Sequence, residues 1–156
     1  MSMTSPISSF SASLSTTTIT PNAVVNALGS NNLTITTGTG GDYNLQVLSP
    51  ITYTGSSERT LTLAASARII VQANADITST TAPLNLILVA EADRTSGFTG
   101  GGFGVGAVRT DIDTNGGDLW IGGGALTSSW NGHTVGAGAA MGGGGANGVG
   151  VEITGT

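Results

Sequence analysis

Cysteine and lysine are both missing from the 156 residues, and charged side chains of any kind make up only 8%. Without cysteine no disulfide can staple the fold, although that absence alone does not separate a cytosolic from an exported protein. Without lysine, an isopeptide crosslink to Asn or Asp is chemically ruled out. Four arginines against nine acidic residues leave a net charge of -5 and no basic cluster, which argues against nucleic acid or an anionic membrane as partner. The longest apolar run, Leu84 to Ala90 with Asn85 inside it, is far too short to span a bilayer. The opening residues show no basic stretch followed by an apolar core, so no signal peptide is expected there. No window keeps apolar residues at helical spacing beyond one turn, and 26 glycines with 4 prolines oppose a helical fold.

What the chain does contain is a recurring apolar-x-apolar triplet between turn residues. One series is Leu45-Gln46-Val47, Leu61-Thr62-Leu63, Leu84-Asn85-Leu86 and Leu119-Trp120-Ile121, starting at 45, 61, 84 and 119. A second series, Ile51-Thr52-Tyr53, Ile77-Thr78-Ser79 and Ile112-Asp113-Thr114, follows a proline or a carboxylate each time. Ile69-Ile70-Val71 adds a third strand between them. A strand points alternate side chains to opposite faces, so Leu61 and Leu63 look one way and Thr60 and Thr62 the other. Each such strand buries two or three aliphatic groups at about 1.5–3 kcal/mol each. Ordering every residue costs about 1–2 kcal/mol, so no single turn is stable alone. Interleaved series at these intervals predict an all-β coil of stacked strands, three to a turn.

Residues 1–15 are Ser-rich and read as a linker or a loosely attached first strand, and residues 16–156 as the coil. Thr16 to Thr20 has strand propensity and stops at Pro21; Ala23 to Leu28 reads as one helical turn or an extended segment that caps the coil end. Two glycine-rich inserts, at about 92–108 and 122–150, break the period and are expected to leave the coil at one corner. Gly150 to Thr156 reads as the start of a further rung with nothing covering it, so end-to-end stacking on another copy is expected.

The tracts Val24 to Gly38, Ser49-Pro50-Ile51-Thr52, Leu61 to Ala65 and Asp111 to Leu119 together resemble the β-strand repeat region of filamentous haemagglutinin-like bacterial exoproteins. The resemblance covers Thr16 to Ile121, and the family's Asn-Pro-Asn secretion tract is missing, with Pro21-Asn22 the nearest approach. It implies a right-handed parallel β-helix within a large protein that is extracellular or on the bacterial cell surface, with adhesion or filament building as its role. Surface glycans or other copies of the chain are the partners that follow.

Chemistry is sparse. Asp111-Ile112-Asp113-Thr114-Asn115-Gly116 matches the first half of a calcium loop, in which carboxylates at alternate positions converge on a hard cation. The twelfth position is Gly122 rather than Glu, which excludes the helical version and leaves Asp111, Asp113 and Asn115 as a loose calcium candidate. The plainer reading is a pair of solvent-facing carboxylates flanking inward Ile112. No other cofactor is expected. A polysaccharide lyase or hydrolase would need converging charged groups, for which Arg109, Asp111 and Asp113 are the candidates. His133, the sole histidine, has no Ser or Asp placed near it by sequence and reads as a polar loop residue. Thr-x-Thr pairs such as Thr34/Thr36 and Thr60/Thr62 would serve ice binding only as one array, and they fall on different strand series. Trp120, Trp130, Phe98 and Phe103 are the candidates for stacking on a glycan. A non-catalytic structural or adhesive module is therefore expected, with recognition on the inserts.

Overall fold

The structure, a computed structural model, describes residues 9–11, 18–39, 41–93, 105–107 and 110–139. A first strand, β1 (Ser9–Ser11), precedes a helix, α1 (Pro21–Leu28). The chain then lays down strands in threes: β2 (Leu33–Thr36), β3 (Leu45–Val47) and β4 (Ile51–Tyr53), then β5 (Arg59–Ala64), β6 (Ile69–Val71) and β7 (Ile77–Ser79). A third set follows as β8 (Leu84–Ala90), β9 (Val105–Ala107) and β10 (Ile112–Asp113). After β11 (Leu119–Gly123) come β12 (Ser128–Trp130), β13 (His133–Val135) and β14 (Gly138–Ala139).

Successive strands enter three parallel sheets in rotation. Sheet A runs β1-β2-β5-β8-β11 with β14 added antiparallel, sheet B is β3-β6-β9, and sheet C is β4-β7-β10. The register is in phase, so like side chains stack. Sheet A aligns Leu33, Leu61, Leu86 and Leu119 in one inward column and Ile35, Leu63, Leu88 and Ile121 in the next. Sheet C aligns Ile51, Ile77 and Ile112, and sheet B aligns Leu45, Ile69 and Val105. These columns meet in one core, in which Leu61, Leu63, Ile69, Leu84 and Leu86 are fully buried.

Two expectations change. Leu45 belongs to sheet B and stacks on Ile69, not in the column of Leu61. Leu61 pairs with Leu86, while Leu84 lies opposite Arg59, so the equivalent triplet in β8 is Leu86-Ile87-Leu88. The reason is that Leu84, Leu86 and Leu88 recur at period two, so a slip of two residues leaves every side chain on its own face and only pairing chooses between the registers.

The N-terminal end is closed by local structure. Thr20 caps α1 by accepting from the Ala23 N–H at 3.3 Å, and Pro21 occupies the first helical position, where its missing N–H costs nothing. Val24, Ala27 and Leu28 are buried as α1 packs on β2, β4 and β5. β1 pairs with β2, so residues 9–11 are a first strand rather than linker.

The largest departure from expectation is on the outer face of sheet A. Thr62, Asn85, Ile87 and Val89 point away from the core, yet all are buried, as are their inward Leu neighbours. The alternation of inward and outward side chains is therefore the expected one, and something else covers that face. Residues 122–139, read from sequence as an insert loop, form β12, β13 and β14 instead. The β12–β13 hairpin brings Val135 onto Ala64, Ile87 and Val89, with Trp120, Leu126 and Ala92 packed around them. Asn131 and Gly132 both have positive φ (46° and 81°), the signature of a two-residue type I′ turn that matches strand twist.

Candidate functional site

One polar column runs along the edge of sheet A where its strands begin. Thr60 lies opposite Asn85, and the Asn32 Oδ1 accepts from the Thr60 N–H at 2.9 Å. One rung further, the Asn85 Oδ1 accepts from the Asp118 N–H at 2.8 Å. Each amide thus extends the backbone ladder just beyond the strand ends. The Asn85 Nδ2 donates to Glu58 Oε1 at 2.8 Å, which fully occupies a side chain that is 97% buried.

The hairpin lays His133 across this column. Its Nδ1 is 3.5 Å from Thr60 Oγ1 and its Nε2 is 3.4 Å from Asp118 Oδ2, so one imidazole bridges two groups that are two rungs apart. Asn131 donates its Nδ2 proton to the same Asp118 oxygen. The order hydroxyl, imidazole, carboxylate is that of a nucleophile relay. The 3.5 Å contact, however, exceeds the roughly 2.6–3.2 Å that proton abstraction needs. The arrangement links the hairpin to sheet A.

Trp130 sits beside this link. It pairs across the hairpin with His133, and it shares a hairpin face with Ser128 and the buried Val135. The indole is thus turned toward the sheet, yet it remains 41% exposed. Trp120, the other stacking candidate, is spent on packing. Its ring lies where a side chain on Gly122 or Gly136 would have to go, 2.3 and 3.0 Å from the Cβ positions.

Of the other candidates, Asp111, Asp113 and Asn115 lie among the described residues. Asp111 and Asp113 are exposed on either side of half-buried Ile112. Asp113 Oδ1 accepts from the Asn115 N–H at 2.9 Å, shaping the turn that follows, while the Asp111 N–H donates to Asp76 Oδ1 at 2.9 Å. Among the described residues no group of three His, Cys, Asp or Glu is placed to hold a metal. Phe98, Phe103 and Arg109 lie outside the described residues, as does Gly150 to Thr156. Among the described residues threonines stack over only two rungs, Thr52 on Thr78 before Asp113, and Thr34 on Thr62 before Ile87. A cavity of about 400 Å³ between α1 and β3 is lined by no charged residue and offers nothing to orient a charged ligand.

Sequence reasoning missed Thr60 and Asp118 as partners of His133, and the chain of contacts that joins Asp118 through Asn85 to Glu58. Two signals carry them: a polar residue ahead of each Leu column position (Asn32, Thr60, Asn85, Asp118), and Asn131-Gly132 between two short strand-like runs. No family model matches the chain, and neither a curated protein nor a solved structure matches it.

Proposed function

We propose that the chain is a right-handed parallel β-helix that serves as a non-catalytic, cofactor-independent structural and adhesive module of a bacterial exoprotein of the filamentous haemagglutinin type, displayed outside the cell. The observation that carries this reading is the in-phase rotation of strands through three parallel sheets, with Leu over Leu and Ile over Ile. Crossovers between parallel strands are right-handed in almost all proteins, which sets the hand. A coil of this kind supplies rigidity, and recognition falls to the segments that depart from it. The 122–139 segment is such a departure, placed firmly on the scaffold by its own small core.

The test is adhesion of cells displaying the chain to glycoprotein-coated surfaces. Adhesion should survive Asp111→Ala, Asp113→Ala and calcium chelation, and be lost on shortening residues 92–108 or 122–150. Cleavage of a polysaccharide, abolished by Arg109→Ala, would overturn the reading in favour of an enzyme.

A further inference from the structure

The three sheets end differently at the N-terminal side. Sheet A continues past β2 into β1, and sheet C ends at β4, on which α1 packs. Sheet B ends at β3 among the described residues, and there the cavity of about 400 Å³ lies between β3 and α1. Its wall is mainly apolar, with Ile19, Val24, Ile35 and Val47 among the lining residues. One strand edge interrupts that wall. The Leu45 N–H donates to the Arg68 carbonyl at 2.8 Å and the Val47 carbonyl accepts from the Gln72 N–H at 3.0 Å, so both residues turn their backbone groups toward β6. In a parallel ladder the residue between them turns its N–H and C=O the opposite way, and that residue is Gln46, which lines the cavity. Tyr43 and Leu48 flank β3 and also line the cavity, yet they are 40% and 65% exposed.

We infer that this cavity binds one neutral, mainly apolar small molecule carrying a hydroxyl or carbonyl group, its apolar part against Val24, Ile35 and Val47 and its polar group on the strand edge at Gln46. Size and lining fit that class: single small ligands occupy clefts of about 300–1,000 Å³ whose walls are apolar apart from a few polar groups that fix orientation. Charge narrows it further. None of the described lining residues is charged, and residues 1–17 and Gly40, the neighbouring stretches in sequence, hold no charged side chain. An ionic headgroup would lose its hydration here with no partner to replace it. Tyr43 and Leu48 are two of the three large apolar side chains exposed among the described residues, and an apolar ligand at the cavity mouth gives both a surface to pack against.

The lining residues lie on neither glycine-rich insert, so this inference stands apart from the adhesive reading. The experiment titrates the whole chain with 1-octanol, and separately with octanoate and octylammonium, following backbone amide and methyl signals by NMR. With octanol the Gln46 amide and the Val47 and Leu48 methyl signals should shift, and the two ions should bind at least about tenfold more weakly. Ile19→Trp fills the cavity and should abolish these shifts. Leu48→Ser, at an exposed position where the fold does not depend on the side chain, should weaken octanol binding severalfold. No shift in octanol-saturated buffer, equal binding of the ions, shifts that persist in Ile19→Trp, or binding unaltered by Leu48→Ser would each overturn the inference. Shifts of the same signals with protein concentration alone would assign the cavity mouth to a second copy, and octanol binding that appears only in Leu14→Ser would assign the cavity to residues 12–17; either result also overturns it.

Discussion

At β8, sheet A is buried on both faces, but by different means. Its inner face packs in a core built by repetition, where Leu61 and Leu86, inside the Leu33, Leu61, Leu86, Leu119 column, each have a Leu aligned on both sides. Its outer face at β8 is covered by a single hairpin through Val135 and Leu126, a cluster of a few side chains with no repeat behind it. Removing an inner contact weakens the stack on both sides. Loss of an outer contact can be met by the hairpin lifting away, so its cost is bounded by the hairpin's docking free energy. The parallel sheets are therefore expected to open as one cooperative unit and the hairpin as a separate layer carried on them.

Substitutions separate the two layers, the largest effects belonging to the interior. Leu86→Ala should cost about 2–5 kcal/mol in chemical denaturation, because its site is closed on every side and cannot collapse. Ile87→Ala, one residue along and equally buried, should cost no more than about 2 kcal/mol, since the hairpin can detach instead. If the two cost the same, the layers do not open separately.

Smaller changes sharpen the contrast. Gly132→Ala places a side chain at φ 81° in the hairpin turn and should cost about 1 kcal/mol, seen as faster exchange of the β12 and β13 amides alone. Asp118→Asn keeps the shape of the link but removes its charge. It should change global stability by less than about 1 kcal/mol, as is usual for part-exposed polar contacts, while loosening the hairpin. Thr78→Ala, half-exposed on sheet C with only a 3.4 Å contact to Thr52, should stay within about 0.5 kcal/mol in the same assay.

How far these layers were legible follows from the same difference. The inward columns could be read because period-2 alternation marks them, and the Ile51, Ile77, Ile112 series was in its observed register from sequence alone. The alignment of β8 with β5 was not legible, since Leu84, Leu86 and Leu88 alternate alike and a slip of two residues changes no face. Ile87 and Val89 on a face assigned to solvent were themselves the sign of a cover, and Asn131-Gly132 the sign of the hairpin that supplies it. The site was less legible than the fold. Thr60 and His133 are 73 residues apart and meet only because the hairpin folds back over two rungs, a contact that no local spacing encodes.

Native-state hydrogen exchange of the intact chain tests the two-layer organisation most directly. The Leu86 to Val89 amides should exchange only through global unfolding, whereas those hydrogen-bonded within residues 128–135 should exchange through a lower-energy opening that Gly132→Ala and Asp118→Asn lower further without touching β8. Equal exchange free energies in the two segments, shifting together in both variants, would contradict it.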